Sequence, residues 1–268
     1  MSDPLVSTGQ AASTLFEIPA HTELPLFTPD WRVLEENRVV GFNGRHISAR
    51  PFSLLRSQLI KRMAARDYRI VGITSPAPGA GKSFLSANLA ATLSRLPNHS
   101  VHVFDLDVRR ASIAESFGLT GETGLEKFLA GDIDDLRKVG RHVEGTNLAL
   151  YPCFLNDLDT VQLLASERFA AFVASLRTLG EGHIVVFDMP PVFANDDAMV
   201  IAGQSDCYLM VIEQGRNSRK QVEDAIRLLE PADCIGSVLN RYDGGVGDPY
   251  GYSYGSYGKY SDYFSKAE

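Results

Sequence analysis

The stretch IVGITSPAPGAGKSFLSANLA, residues 70–90, carries three signals in a row. An apolar run from Tyr68 to Ile73 reads as a buried parallel strand. A turn rich in Gly and Pro follows, from Ser75 to Gly81. Lys82 and Ser83 then open an amphipathic helix with Phe84, Leu85, Leu89 and Leu93 on one side. The backbone N–H groups of such a turn, together with the positive end of the helix dipole, point at an anion. The candidate phosphate contacts are Gly79, Ala80, Gly81, Lys82, Ser83 and Phe84. Lys82 is expected to reach the β- and γ-phosphates and the Ser83 hydroxyl to hold Mg²⁺. Pro76 stands where the usual loop has a glycine, five residues before Gly81. A Gly-rich turn that binds nothing is the alternative, and the flanking strand and helix favour the cradle.

Outward from this stretch the chain alternates strands and helices. Strands are expected at 68–73, 101–106, 147–152, 183–188, 207–213 and 233–239, and helices at 51–65, 83–95, 111–117, 124–130, 158–178, 196–203 and 217–229. Nearly continuous apolar strands alternating with helices predict an α/β fold: a mostly parallel sheet covered by helices on both faces. Ligands of such sheets sit at the carboxyl ends of the strands.

Three strand ends carry chemistry. In VHVFDLDVRR, 101–110, Asp105 and Asp107 are two apart and face the same way if the extended geometry continues. One is suited to hold a metal ion, the other to accept a proton from an attacking hydroxyl. A strand end with solvated charges is the plainer reading of this pair alone. In HIVVFDMPPV, 183–192, a buried strand delivers Asp188 toward Mg²⁺ in a Walker-B arrangement. CIGSVLNRYD, 234–243, ends in Asn240 and Arg241, and an asparagine amide can read an adenine edge. Asn195-Asp196-Asp197 reads as a helix cap without a catalytic role.

The ends of the chain differ from its middle. Residues 1–45 show no sustained period and carry Pro4, Pro19, Pro25 and Pro29, which predicts a mostly disordered arm with short ordered pieces near Trp31–Val40. Residues 46–241 form the expected catalytic domain. Residues 242–268 are a tail rich in Gly, Ser and Tyr that holds seven of the ten tyrosines. Tyr250, Tyr252, Tyr254, Tyr257, Tyr260 and Tyr263 fall within fourteen residues, too dense among glycines for a core. They read as accessible phenol hydroxyls or as a low-complexity tail of no defined role.

The chain has 268 residues, 44% hydrophobic and 22% charged, which suits one α/β domain with flexible ends. A net charge of −7 argues against general nucleic-acid binding. Residues 1–30 hold four acids and no Lys or Arg, whereas 45–66 hold six basic residues and no acid. Both are expected to be solvated, with the 51–65 helix packed on the sheet. No apolar run reaches the length of a bilayer span and Met1 begins no signal-peptide pattern, so a soluble, cytoplasmic protein is expected. Cys153, Cys207 and Cys234 are scattered and odd in number, which predicts buried, inert thiols.

Taken together, these motifs resemble the bacterial tyrosine kinases of capsule and exopolysaccharide synthesis, from about Arg50 to the C-terminus. SPAPGAGKS (75–83) matches Walker A, FDLDVR (104–109) the family's Asp-x-Asp-x-Arg motif, VVFDMPP (185–191) Walker B, and VLNRY (238–242) the adenine-side strand. The terminal tyrosines match an autophosphorylation tail. The resemblance implies a P-loop NTPase fold and ATP and Mg²⁺ as cofactors. It implies nucleotide contacts from Arg109, Asn240 and Arg241 as well as from the loop. Ser83, Asp105 and Asp188 would be metal ligands; Lys82, Asp105 and Asp107 would be the catalytic set. It further implies phosphorylation of one subunit's tail by a neighbour in a homo-oligomer. A membrane-spanning polysaccharide chain-length regulator would be the activating partner, recruiting the kinase to the inner face of the plasma membrane. The chain departs from the family in two motifs: Ala77 replaces a loop glycine, and of the ring-forming Glu-x-x-Arg-x-x-Arg motif, set against Arg50, Ser53 and Arg56, only Arg56 matches.

Two rival readings are a partition-type ATPase switch and a nucleotide-binding scaffold without phosphate transfer. The first usually carries a second lysine at the position of Ala77 and a terminal amphipathic helix, and neither is present here.

Overall fold

A computed structural model describes residues 15–154 and 159–243. The strands are β1 (Leu26–Phe27), β2 (Ile70–Thr74), β3 (Ser100–Asp105), β4 (Arg141–Val143), β5 (Leu148–Tyr151), β6 (His183–Asp188), β7 (Cys207–Glu213) and β8 (Asp233–Asn240). The helices are α1 (Trp31–Glu36), α2 (Arg50–Ala64), α3 (Lys82–Leu93), α4 (Ser112–Phe117), α5 (Leu125–Ala130), α6 (Thr160–Leu164), α7 (Glu167–Arg177), α8 (Asp197–Gln204) and α9 (Arg219–Leu228). The strands form one sheet in the order β1-β4-β5-β3-β6-β2-β7-β8. Every pair is parallel except β4–β5.

The centre of this sheet is apolar on both faces because helices cover both. All five residues of β2 are buried, as are five of six in β3 and in β6. One face buries Val71, Ile73, Val101, Val103 and Val186 with α2 and α3; the other buries Phe104, Tyr151, Phe172 and Phe187 with α7. Phe104 stacks on Tyr151 with centroids 4.3 Å apart and meets Phe172 edge-on at 5.1 Å. Gly72 sits in β2 where a Cβ would lie 2.2 Å from the Met189 sulfur, so this close approach requires glycine.

The N-terminal region is more ordered than its prolines suggest. The ordered piece expected near Trp31–Val40 contains α1, but order extends well beyond it. β1 pairs with β4, and Leu24, Leu34 and Val39 are core residues. Asn88 of α3 staples the segment down: its Oδ1 accepts from the Val40 and Gly41 amides at 2.8 and 3.1 Å, and its Nδ2 donates to Arg38 O at 3.0 Å. Described residues 15–45 are therefore held by specific side chains rather than by a periodic apolar face, which is why no helical or strand period announces them. The acids there are exposed to solvent, and Glu17 and Glu23 also pair with Arg137.

The helix expected at 158–178 is two. Ser166 breaks it, its hydroxyl accepting from the Phe169 amide at 3.1 Å as the cap of α7. Helix α2 packs as expected through Phe52, Leu59 and Met63, while Arg56 and Arg62 donate to Thr92 O and Ile235 O. Cys153 and Cys207 are buried and Cys234 is half-buried; all are free thiols. Among the described residues, no helix is long and apolar enough to cross a membrane.

Candidate active site

Sheet register builds the acidic half of the site. Asp105 ends β3 directly opposite Asp188, which ends β6, and Asp188 is in turn opposite Ile73 of β2. Neighbours in register on parallel strands point to the same face, so two carboxylates stand side by side, both fully buried. The loops beyond continue the alignment: Leu106 N bonds Asp188 O at 2.9 Å, and Val192 N bonds Ser75 O at 2.9 Å.

The glycine loop builds the basic half. It leaves β2 at Thr74, whose hydroxyl donates to Pro190 O at 2.7 Å, and closes with Ser75 Oγ donating to Ala77 O at 2.8 Å. Gly79 and Gly81 have φ of +84° and +92°, in the left-handed region that glycine enters without strain. Ala77 is not among the positive-φ residues, so its methyl fits where the family pattern has glycine. Gly81 is the N-cap of α3, and a Cβ there would meet Asn240 Nδ2 at 2.2 Å.

The two halves meet at Lys82. Its Nζ lies 2.5 Å from Asp107 Oδ2 and 3.4 Å from Ser83 Oγ. Both Lys82 and Asp107 are almost completely buried. Burial alone would lower the Lys82 pKa, but the nearby charges of Asp188, Asp107 and Asp105 outweigh it and the pKa is raised. Burial and the neighbouring Asp188 push Asp105 well above the usual carboxylate range. Burial raises Asp188 too, against the opposing pull of Lys82 and the hydrogen bond from Ser86 Oγ at 2.8 Å.

Two acceptor oxygens in this site are buried without a hydrogen-bond partner: Asp105 Oδ1 and Asp188 Oδ2. An unpaired buried carboxylate oxygen is costly, and a cation relieves it. With the Ser83 hydroxyl they form an oxygen donor set of the kind Mg²⁺ takes. Among the described residues no group of three His, Cys, Asp or Glu is placed to hold a metal unaided. Mg²⁺ at this site would therefore complete its shell with phosphate oxygens and water, which is its habit in nucleotide enzymes.

The remaining sequence candidates divide. Asn240 reaches the loop, its Nδ2 donating to Ala80 O at 2.8 Å. Arg241 turns to Glu213, 2.6 Å away. Phe84 packs its ring on Phe52, 5.6 Å between centroids, so only its amide remains for a ligand. Arg109 is tied to Thr160 and faces Asp197 rather than the Lys82 cradle. The expected cap at Asn195-Asp196-Asp197 is different in detail. Asp196 occupies the cap position without a side-chain bond, while Asp197 is buried and accepts from Thr160 and Asn195. Sequence reading missed the roles of Ser86, Asn88, Thr160 and Asp197. Of these only the spacing of Ser86, one helical turn after Lys82, was a usable signal. Tyr250, Tyr252, Tyr254, Tyr257, Tyr260 and Tyr263 lie outside the described residues.

This cradle, with paired carboxylates at adjacent strand ends of a parallel sheet, defines a nucleotide-binding P-loop domain. The profile of the CobQ/CobB/MinD/ParA nucleotide binding domain matches residues 71–249, and the chain belongs to that family. Within it, the relatives point to one branch. Etk of Escherichia coli K12, a tyrosine-protein kinase, is 30% identical over 190 residues, covering 69% of this chain and 25% of Etk. CpsD of Streptococcus agalactiae, also a tyrosine-protein kinase, is 28% identical over 214 residues, covering 78% of this chain and 89% of CpsD. The chain spans about a quarter of the length of Etk and of the other long relatives it matches. Among solved structures, the kinase domain of Etk superposes with a TM-score of 0.68 at 26% identity, covering 81% of this chain and 84% of that one. The chimerical protein CapA2B2 superposes at 0.69 with 25% identity, covering 82% and 95%. The septum site-determining protein MinD of Pyrococcus horikoshii, at 0.56 and 22% identity over 65% and 70%, shares the fold.

Proposed function

We propose that this chain is an ATP-dependent protein-tyrosine autokinase that phosphorylates its own terminal tyrosine cluster in trans. The observation that carries the reading is the convergence of Lys82, Asp105, Asp107 and Asp188 in one buried site. The kinase names of Etk and CpsD support it.

Phosphoryl transfer asks the protein for positioning and charge neutralisation more than for covalent chemistry. In this reading the loop amides and Lys82 bind the β- and γ-phosphates. Ser83, Asp105 and Asp188 would hold Mg²⁺, which would supply charge neutralisation at the phosphate oxygens. Asn240 contributes on the base side of the loop. Lys82 drawn toward phosphate leaves Asp107, which it now grips at 2.5 Å. A freed Asp107 carboxylate accepts the phenol proton as the tyrosine oxygen bonds to the γ-phosphorus and the bond to ADP breaks. A free tyrosine has a pKa near 10, so a proton acceptor in contact lowers the barrier.

We further propose a homo-oligomer in which one tail enters a neighbour's site. A membrane-spanning chain-length regulator would activate it at the inner face of the membrane, with control of exopolysaccharide polymerisation and export as the outcome. The tail at 242–268 belongs to the same proposal, and the domain before it takes in β1, Leu24, Leu34 and Val39 as well as residues 46–241. Phosphate groups near −2 each accumulating beside Asp243, Asp248 and Asp262 would repel one another and loosen the assembly.

The test is intact mass and tail-peptide mapping after incubation with Mg-ATP, beside Lys82→Met, with and without the cytoplasmic peptide of a candidate partner. Phosphate on Tyr250 to Tyr263 that is absent from the variant is the expected result. ATP binding with no phosphate under any condition would overturn the kinase reading in favour of a nucleotide-dependent scaffold.

A further inference from the structure

Arg109 lies two residues after Asp107, yet its guanidinium leaves the Lys82 cradle. Its Nε and Nη2 donate to Thr160 Oγ1 at 3.1 and 2.8 Å, and its Nε lies 3.6 Å from Asp197 Oδ2. The Thr160 hydroxyl donates onward to Asp197 Oδ2 at 3.0 Å, and Asn195 Nδ2 donates to the same oxygen at 2.5 Å. One hydroxyl therefore accepts twice and donates once, which is its full capacity. Thr160 and Asp197 are 2% and 3% exposed. Asp197 also sits in the first turn of α8, where the helix dipole favours a negative charge.

The network joins three segments. Arg109 belongs to the turn after β3, Thr160 begins α6, and Asn195 and Asp197 belong to the loop and helix after β6. The turns that follow the two acidic strands, one bearing Asp105 and Asp107 and the other Asp188, are thereby tied to each other. The first of these turns is tight: Asp107 O accepts from the Arg110 and Ala111 amides, both at 2.8 Å, and Ala111 has a φ of +49°. A non-glycine residue in that region persists only where its surroundings hold it. Val108, between Asp107 and Arg109, is buried in the core. Asp107 is thus set by a strained turn with a buried anchor on one side and the Arg109 brace just beyond. The Arg109 side chain is 60% exposed, so the pair adds little stability. What the brace supplies is geometry.

We propose that Thr160 and Asp197 are positioning residues that act through Arg109 to fix the turn carrying Asp107. This proposal rests on the kinase reading for its effect on rate, and on the turn itself for its physical basis. The loss of such an outer contact typically costs about 10- to 100-fold in activity, and a displacement of about 1 Å at the reacting groups costs about as much.

The experiment compares the full chain with Thr160→Val, Asp197→Asn and Thr160→Ser. It measures single-turnover tail phosphorylation, affinity for Mg-ADP, and amide hydrogen exchange at Arg110 and Ala111. The expected result is a fall of about 10- to 100-fold in rate for Thr160→Val and Asp197→Asn. Mg-ADP affinity stays within about threefold, exchange at the two amides rises at least tenfold, and Thr160→Ser restores both rate and protection. A rate unchanged in an active background overturns the proposal. So does a loss of Mg-ADP affinity as large as the loss of rate, since that would place Arg109 or the whole fold, not the turn, at fault. If the wild-type chain transfers no phosphate, the kinase reading fails by itself and exchange decides the brace. Raised exchange in Thr160→Val, reversed in Thr160→Ser, supports it, and unchanged exchange overturns it.

Discussion

Strand β3 buries a titratable side chain near each end, on opposite faces of the sheet, and the two behave differently. His102 lies toward the start among His183, Tyr151 and His21; Asp105 lies at the finish beside Asp188, Asp107 and Lys82. Burial pushes each toward its neutral form, lowering His102 to about 3 and raising Asp105. At the histidine end that push meets no opposing carboxylate. The ring stacks 5.3 Å from His183 and shares a 3.1 Å contact with its Nδ1, a neutral packed cluster. Both ends leave buried polar atoms without partners, His21 Nδ1, His102 Nδ1 and the Tyr151 hydroxyl at one and Asp105 Oδ1 and Asp188 Oδ2 at the other, but only at the aspartate end does a lysine oppose the push. A buried polar group is therefore not in itself a sign of chemistry. The sign is a buried cluster that keeps opposite charges in contact, with oxygens left for a ligand to complete.

The strongest way to break this contrast is Lys82→Met. Without the ammonium the carboxylates lose their counter-charge and the phosphates lose their main cation. Tail phosphorylation measured by intact mass should fall by on the order of a thousandfold or more. Retained phosphorylation would mean that the aspartate end is as chemically silent as the histidine end. Asp107→Asn is the next largest. The amide keeps the size but cannot take the phenol proton, so single-turnover rates should fall roughly 100- to 10,000-fold. Mg-ADP affinity should change far less, because Asp105 and Asp188 remain. Equal losses of affinity and rate would move Asp107 from proton acceptor to nucleotide ligand.

The two ends also differed in how far the sequence exposed them. Lys82, Ser83, Asp105 and Asp188 were legible because each ends an apolar strand or opens an amphipathic helix after a glycine loop. Register, which placed Asp105 opposite Asp188, follows from the topology and could be anticipated only as convergence at strand ends. The histidine end was invisible. His21, His102, His142 and His183 are spread over 163 positions of chain and meet only after β1, β4 and β5 have assembled. The same limit hid β1 and β4, which are two and three residues long and shorter than any readable period. It hid the order of residues 38–41 too, since Asn88 holds them with an amide that looks, in sequence, like a polar residue inside a helix. Arg109 is a different case. The family resemblance implied a ligand contact, while its hydrogen bonds go to Thr160 and its charge faces Asp197.

The histidine end makes its own prediction. The unfolded chain protonates His102 near its ordinary value of 6.5, whereas the folded chain resists protonation until about 3. Stability should therefore fall as pH drops through the window from 6.5 to 3, and be unaffected by this group above it. At pH 5 the cost is about 2 kcal/mol. His183 and His21 are lowered as well and contribute to the same acid limb. His102→Phe keeps a ring against Tyr151 and removes its share, so urea unfolding at pH 7 and pH 5 should differ less in the variant than in the parent. An identical pH dependence would mean that His102 takes up its proton in the folded state without cost.

The smallest effect is expected at the segment that covers this end. Arg137 pairs with Glu17, Glu23 and Asp135, and Glu23 in turn accepts from the Ala20 amide at 2.7 Å. These groups are largely exposed, so their attraction is screened and modest. Apolar contacts hold the same segment more firmly: Phe16 lies 5.0 Å from Phe128, with the Arg168 guanidinium over its ring at 4.7 Å and its amide bonded to Ser175 Oγ at 2.8 Å. Arg137→Ala should therefore loosen residues 17–24 without releasing Phe16. Amide exchange at Glu23 and Leu24, which bond back to Ala20 O and His21 O, should quicken at low salt, and the difference from the parent should vanish near 1 M salt as the Debye length shrinks to about 3 Å. A difference that survives high salt would assign the anchoring to the packed stem of Arg137 rather than to its charge. Nucleotide binding at the opposite end of β3 should be the same in both proteins, and a change there would show that the two clusters, separate in charge, are mechanically joined through the strand.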